Sequence, residues 1–374
     1  MTDMGEKLTK AQEREFAREL VAEIGELAAS TGRRLRFMEV CGTHTVAIFR
    51  AGLRQILPDS VELVSGPGCP VCVTPDDYMD KAIAYAQRDD VIIATFGDML
   101  KVPGSKSSLN EAKTNGADIR IVYSPMDSIQ IAKDNPDKKV IFLAVGFETT
   151  APTAAATVLA AEQQGITNLY MLSAQKLVPP VMETLLNDEE VHVDGFILPG
   201  HVSVVTGTGV YEPVVSKYHV PGVVTGFEPL QILRGLYRLV QQVVKGEAKV
   251  ENEYTDVVKP EGNPVSMAIT GKVYEPCDTG WRGMGIVPLS GLKMRQEYAR
   301  FDIEQVLPVE VETVTKKTAC RCGEVLRGIV TPKECPLFGK ACVPTHAIGP
   351  CMVSVEGVCA AWYKYGQGRF EYGK

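Results

Sequence analysis

The stretch "RLRFMEVCGTHTVAIF", residues 34–49, contains the pattern that decides the fold. Its first seven residues form a short run of the kind that makes a buried strand, and the residues after Thr43 suit a helix. Gly42 permits a tight turn between the two elements, and Thr43 is predicted to cap the helix. A strand that passes directly into a helix in this way is the repeating unit of a parallel sheet.

The same alternation continues to about residue 244, with amphipathic or alanine-rich stretches between the apolar runs. The eight predicted strands are RLRFMEV, VELV, DVIIATF, IRIVYS, KVIFLAVGF, NLYMLS, VDGFILP and GVVTGF. A polar break near Asn135 and a second one after Gly246 divide the chain. We therefore predict an α/β protein with two doubly wound parallel-sheet domains, residues 1–135 and 136–250, and a smaller cysteine-rich domain, residues 251–374.

The bulk composition restricts the classes of function. The chain has 374 residues and a net charge of −7, which argues against binding to nucleic acid or to an anionic membrane surface. Its amino terminus is charged and has no apolar stretch of the signal-peptide type, and no run of about 18 apolar residues occurs. We expect a cytoplasmic protein. Ten cysteines in a reducing compartment indicate metal binding or redox chemistry rather than structural disulfides.

Three cysteines follow the first two predicted strands, at the sheet edge where ligands of such folds bind. Cys41 precedes a helix start, a position that is predicted to lower the pKa of its thiol. Cys69 and Cys72 lie in "SGPGCPVCVTPDD", residues 65–77, where Thr74 and Pro75 are predicted to begin the next helix. The Cys-x-x-Cys spacing suits a dithiol redox pair or two metal bonds. A purely structural role of these thiols is the alternative.

Two further polar residues follow predicted strands. His44, close to Cys41, could act as a base, a hydrogen-bond donor or a ligand, or it could be a satisfied structural histidine. Glu148 follows the strand KVIFLAVGF, with Thr149 and Thr150 available to cap the next helix. Its carboxylate could accept a proton or orient a thiol, or it could only complement a helix N-terminus.

A second group of cysteines lies between residues 320 and 359. Its members are Cys320, Cys322, Cys335, Cys342, Cys351 and Cys359. The irregular gaps do not match paired zinc knuckles, whereas four thiolates from such a stretch suit an iron–sulfur cluster. Structural zinc is the alternative, and Cys277 and His346 are interpreted as structural.

Four motifs in this order resemble the HypD family, whose members assist the maturation of [NiFe] hydrogenases. The motifs are C-G-T-H-T at 41–45, G-P-G-C-P-V-C at 66–72, G-F-E-T-T-A-P-T at 146–153 and the C-terminal pattern C-x-C-G…C-P-L-F-G…C. The resemblance covers nearly the whole chain. It implies a scaffold on which the Fe(CN)₂CO unit of the hydrogenase is assembled, together with a HypC-type small chaperone and a HypE-type cyanide donor.

The resemblance also implies ligand sets. Cys41, Cys69 and Cys72 would hold the iron, shared with a cysteine of the small chaperone. A [4Fe–4S] cluster would be bound by thiols drawn from Cys320, Cys322, Cys335, Cys342 and Cys359, with Cys320 favoured over Cys322 for the first position. Cys351 lies outside this pattern.

Soft thiolates suit iron that carries cyanide and carbon monoxide, and the cluster with the Cys69/Cys72 dithiol could relay electrons. The relay requires the dithiol to lie near the cluster. Two other functions remain open: a free-standing iron–sulfur thiol–disulfide oxidoreductase, and a zinc-stabilised binding module. We interpret the chain mainly as an assembly scaffold with redox capability.

Overall fold

A computed structural model describes residues 9–312 and 318–366 of the chain, which form an α/β structure with two parallel sheets. Within these residues the helices, numbered α1 to α16 in chain order, are Lys10–Ala29, Gly42–Arg50, Leu53–Ile56, Pro70–Val73, Asp76–Ala86, Leu109–Thr114, Asp127–Asp134, Ala151–Gln163, Val178–Leu186, Gly200–Thr206, Glu212–Tyr218, Pro229–Lys245, Pro264–Val273, Ile303–Val306, Cys322–Leu326 and Val358–Tyr365. Short 3-10 turns connect several of them.

The strands of the described residues form two parallel sheets and one antiparallel hairpin. In chain order β1 to β11 are Leu35–Glu39, Val61–Ser65, Val91–Thr95, Ile119–Ile121, Lys139–Gly146, Leu169–Gln175, Gly195–Pro199, Gly222–Thr225, Val250–Asn252, Tyr274–Trp281 and Gly285–Met294. Sheet A has the order β2-β1-β7-β8-β9, sheet B has the order β4-β3-β5-β6, and β10 pairs with β11. The prediction of an α/β fold with two parallel sheets is confirmed.

The strand pairings run across the predicted division at residue 135. Strand β3 pairs in parallel with β5, so strands from both sides of that residue belong to sheet B. Sheet A joins β1 and β2 to β7, which follows sheet B in the chain. Sheet B is therefore a continuous segment inserted between the two halves of sheet A.

All eight predicted strands are present, because continuous apolar runs between helices are what a sheet buried on both faces requires. Strand β9 and the β10–β11 hairpin were not predicted. In the hairpin, buried residues such as Trp281 and Val287 are interrupted by Gly, Pro and exposed residues, so it has no continuous apolar run of the kind that marks the other strands. The described part of the chain contains no helix that is long and apolar enough to cross a bilayer.

A buried ion pair fixes the carboxyl end of β1. Glu39 is fully buried, and its Oε1 accepts hydrogen bonds from Arg54 Nη2 at 2.9 Å and from Ser65 Oγ at 2.6 Å. The Arg54 guanidinium also lies 4.9 Å from the ring centroid of Phe49 and 5.8 Å from that of Trp362 in α16. Arg54 thus connects β1 and β2, the strands that precede Cys41 and the Cys69/Cys72 pair, with the last helix, α16.

Replacing Arg54 by methionine is expected to lower the free energy of unfolding by about 3 kcal/mol near neutral pH, because it leaves a buried carboxylate without its partner. Burial raises the pKa of Glu39, while Arg54 lowers it; without Arg54 the pKa rises further. A carboxyl whose pKa is higher in the folded state favours folding as pH falls. The deficit of R54M in urea unfolding should therefore shrink between neutral and mildly acidic pH.

Arg88→Met is the matched control, because Arg88 and Asp90 form an ion pair whose side chains are about 40% exposed. Exposed pairs contribute at most about 1 kcal/mol. Equal losses of stability in R54M and R88M, or a deficit of R54M that grows on acidification, would contradict the assigned role.

Candidate thiol and cluster site

The loops that follow β1 and β2 are in direct backbone contact. The Gly42 amide donates a hydrogen bond of 2.9 Å to the Gly68 carbonyl. A Cβ atom on Gly68 would lie 2.2 Å from the backbone nitrogen of Cys41, so only glycine fits there. Because β1 and β2 are parallel neighbours, their carboxyl ends bring Cys41 next to the loop that leads into Cys69.

Cys41 itself is the N-cap of α2, two residues earlier than the predicted cap at Thr43. The predicted lowering of its thiol pKa is wrong. Burial raises the pKa of Cys41 to about 11, with a further contribution from the charge of Glu356, and the amides of Thr43 and His44 offset only part of this. Desolvation therefore outweighs the helix N-terminus, and Cys41 is a neutral thiol at rest.

Cys69 precedes the four-residue helix α4, and Cys72 lies within it. Cys69 is its N-cap, and its Sγ accepts a hydrogen bond from the Cys72 amide at 3.3 Å. Both residues are buried, and burial raises the pKa of the Cys72 thiol well above its usual value. The next helix, α5, begins at Asp76 with Pro75 as N-cap, one residue later than predicted.

The Cys72 thiol lies against the C-terminal cysteines. Its Sγ donates to the Pro350 carbonyl at 3.8 Å, and the thiol of Cys351 lies close enough to affect its pKa. The Sγ atoms of Cys351 and Cys322 are 2.8 Å apart. All ten cysteines, which lie within the described residues, are free. Cys72, Cys351 and Cys322 are therefore neighbouring thiols, which we call the thiol chain.

Beyond the thiol chain, all six C-terminal cysteines line one pocket together with Val325, Phe338, Gly349 and Met352. These cysteines are Cys320, Cys322, Cys335, Cys342, Cys351 and Cys359. A Cβ on Gly349 would lie 2.9 Å from Cys320 Sγ, so the backbone here lies directly against the sulfurs. The Ile348 amide donates to Cys342 Sγ at 3.4 Å. Sequence analysis grouped these cysteines, but it left Cys351 out of the ligand pattern.

His44 is anchored away from the thiols. Its Nε2 lies 2.9 Å from both the Gly226 carbonyl and the Thr225 hydroxyl at the end of β8, and its ring packs 4.6 Å from that of Phe227. Because a carbonyl only accepts, Nε2 carries the hydrogen. Burial lowers the pKa of His44 to about 4, so the ring is neutral. His44 therefore fixes α2, and hence Cys41, against sheet A.

Glu148 lies at the end of β5 and is buried. Its Oε1 accepts the Val178 amide at 2.8 Å, whereas Oε2 has no hydrogen-bond partner among the described residues. Burial raises the pKa of Glu148 to about 7, so the carboxyl can take up and release a proton near neutrality. Tyr211 is electrostatically coupled to both Glu148 and Cys41 and lies near both of them. Thr150 holds the N-cap position of α8 without a capping hydrogen bond from its side chain.

Sequence analysis missed Glu356, whose Oε1 accepts a hydrogen bond of 2.7 Å from the Thr43 hydroxyl. The two residues are 313 positions apart, so no local pattern could have indicated this contact. Cys277 lies on β10, half-buried, and His346 makes a backbone bridge to Val343. Neither residue lies with the thiols of Cys41, Cys69 and Cys72 or lines the six-cysteine pocket.

The donor sets differ in what they can bind. Among residues 9–312 and 318–366, no three or more His, Cys, Asp or Glu side chains form a ready-made site for a metal ion. Cys41, Cys69 and Cys72 would therefore need a local adjustment or an additional ligand to hold one iron. An iron–sulfur cluster is wider than a single ion and takes its thiolates from all sides, which fits a pocket lined by six cysteines.

Comparisons with known proteins identify the family to which the chain belongs. The sequence model of the HypD family, described as the hydrogenase formation hypA family, matches residues 15–366. The chain is 46% identical over 344 residues to the hydrogenase maturation factor HypD of Escherichia coli, covering 91% of this chain and 92% of that protein.

Two further relatives show the same extent of similarity. The putative hydrogenase expression/formation protein of Methanocaldococcus jannaschii is 44% identical over 355 residues, 94% of this chain and 98% of that protein. The hydrogenase maturation factor HypD of Azotobacter vinelandii is 44% identical over 360 residues, 94% of this chain and 95% of that protein. The chain therefore belongs to the HypD family of hydrogenase maturation factors.

Proposed function

We propose that this hydrogenase maturation factor is a cytoplasmic scaffold that holds iron through Cys41, Cys69 and Cys72 while the Fe(CN)₂CO unit is assembled on it. The observation that carries the proposal is the thiol chain, which connects the Cys69/Cys72 pair to the six-cysteine pocket. Loops in backbone contact bring Cys41 beside this pair. Neutral thiols lose their protons when they bind a metal ion, so the raised pKa of Cys41 keeps it unreactive until iron arrives.

The pocket is proposed to bind a [4Fe–4S] cluster through Cys320, Cys335, Cys342 and Cys359. We assign these four because Cys322 and Cys351 have sulfur atoms 2.8 Å apart and Cys351 lies beside Cys72, while Cys320 and Cys359 are also neighbours of this pair. This assignment keeps the earlier preference for Cys320 over Cys322. A bound cluster would supply electrons one at a time.

The thiol chain is proposed to relay those electrons by thiol–disulfide exchange. Oxidation of the Cys69/Cys72 dithiol releases two electrons and two protons, which is what cleavage of a thiocyanate into a thiol and hydrogen cyanide consumes. Cys351 then attacks Cys72 and releases Cys69, and Cys322 attacks Cys351 and releases Cys72. Two electrons from an external one-electron donor, delivered through the pocket one at a time, and two protons from solvent restore Cys322 and Cys351 as thiols.

Partners complete the proposed site. A HypC-type small chaperone would add a cysteine to the iron held by Cys41, and a HypE-type protein would present cyanide as a thiocyanate. His44 is proposed to position Cys41, and Glu148 to exchange a proton there, consistent with its unpartnered Oε2 and its pKa of about 7. A free-standing iron–sulfur oxidoreductase remains the alternative function, because the thiol chain would serve it as well.

Cys41→Ala should abolish the infrared bands of iron-bound cyanide and carbon monoxide in anaerobic protein purified with its small partner, because the variant lacks an iron ligand. The visible absorption of the cluster should remain. Cys277→Ala is the control and should retain both signals. Persistence of the infrared bands in C41A would exclude Cys41 as an iron ligand, and absence of the bands from the wild type would favour the oxidoreductase alternative.

Cys320→Ser and Cys322→Ser separate the two thiols of the Cys-x-Cys pair. We expect C320S to lose most of the visible iron–sulfur absorption and of the bound iron and sulfide, since it loses a ligand. C322S should keep them, because Cys322 serves the thiol chain. The reverse result would show that Cys322 is the ligand. Zinc without sulfide in the wild type would show that the pocket binds zinc and not an iron–sulfur cluster.

Cys351→Ser should leave the cluster intact but prevent its reduction from reaching Cys69 and Cys72. In an anaerobic experiment, dithionite-reduced protein would be mixed with a small aromatic disulfide, and the oxidised Cys69/Cys72 pair would be followed by mass spectrometry. Re-reduction of this pair in C351S should be at least tenfold slower than in the wild type and in C277S. Equal rates in all three proteins would mean that electrons bypass Cys351.

A further inference from the structure

Glu356 packs on the first turn of α2, which carries Cys41 at its N-cap. Its Oε1 accepts the hydrogen bond from the Thr43 hydroxyl at 2.7 Å. A Cβ on Gly42 would lie 2.7 Å from Glu356 Cβ and 2.9 Å from the Glu356 carbonyl oxygen. Backbone and carboxylate of Glu356 therefore both lie against the residues that follow Cys41.

The segment that delivers Glu356 also carries Cys351. Within residues 350–357, the amides of Val353 and Gly357 donate 2.9 Å hydrogen bonds to Pro350 and Ser354. A Cβ on Gly357 would lie 2.2 Å from the Cys351 carbonyl oxygen, so the segment folds back tightly on itself. A displacement at Cys351 is thus transmitted to Glu356 because the intervening turn has little room to absorb it.

Cys351 is the member of the thiol chain with a sulfur neighbour on each side. Its Sγ is 2.8 Å from Cys322 Sγ, and the thiols of Cys359 and Cys72 lie close by. Exchange of a covalent partner among these sulfurs has to move the Cys351 side chain toward one neighbour and away from the other. The turn that follows Cys351 is attached to α2 by the Thr43–Glu356 hydrogen bond.

We propose that Glu356 is a positioning residue that couples access to Cys41 to the redox state of Cys351. When Cys72 and Cys351 form a disulfide, their two electrons and two protons pass to an external disulfide, which becomes two thiols. The turn then shifts, the Thr43–Glu356 hydrogen bond breaks, and the first turn of α2 opens around Cys41. This inference deepens the proposed function, since Cys41 is the thiol that receives the iron there.

The test measures alkylation of Cys41 by iodoacetamide in full-length, anaerobically purified protein. Reduced protein is compared with protein equilibrated in glutathione disulfide, and mass spectrometry follows both the Cys41 peptide and the Cys72–Cys351 linkage. In the wild type, alkylation of Cys41 should be roughly fivefold faster after oxidation, the factor that loss of one hydrogen bond corresponds to.

Thr43→Val and Glu356→Ala each remove the Thr43–Glu356 hydrogen bond. Iodoacetamide should therefore alkylate Cys41 at the same rate in both redox states of these variants. T43V is the milder change and keeps the test valid if E356A folds poorly. Glu297→Ala, which removes an exposed carboxylate far from α2, should behave as the wild type. An unchanged or slower rate in oxidised wild type, or the same acceleration in T43V, overturns the proposal. Failure of the proposed function would instead appear as missing infrared bands, which this measurement does not involve.

Discussion

The proximity of Cys72 to Cys351 is the constraint on which the arrangement of this protein depends. Cys72 follows β2 near the start of the chain, and Cys351 lies in the C-terminal segment, yet their thiols are neighbours. Met38, Val64 and Leu326 belong to the same buried cluster, so the C-terminal cysteines pack directly on sheet A. The six-cysteine pocket and the Cys-x-x-Cys loop thus become parts of one site.

Burial rather than helix polarity sets the chemistry of the thiols. Cys41 caps a nine-residue helix, a position that by itself favours the thiolate. Its pKa is nevertheless raised, because burial disfavours the thiolate and Glu356 adds a negative charge nearby. Neutral thiols can be held together without mutual repulsion, and a metal ion or an exchanging disulfide then supplies the driving force to remove their protons.

The sequence predicted the strands of both parallel sheets, because short continuous apolar runs between helices, such as KVIFLAVGF, are typical of buried parallel strands. It also predicted the two thiol groups. It did not predict that β1 and β2 would join β7 across the whole of sheet B, since strand order is set by packing between distant segments. The contacts of Glu356 with Thr43 and of Cys351 with Cys72 were invisible for the same reason. The direction of the Cys41 pKa shift failed because burial cannot be read from a local motif.

In the proposed function, the thiol chain connects two separate iron sites. Anomalous diffraction at the iron edge, on anaerobic crystals of the protein with its small partner, tests this claim most directly. The account predicts two groups of iron density: a compact four-iron peak in the six-cysteine pocket and a single iron beside Cys41 and the Cys69/Cys72 pair. Iron in the pocket alone, or a second peak remote from Cys41, would contradict it.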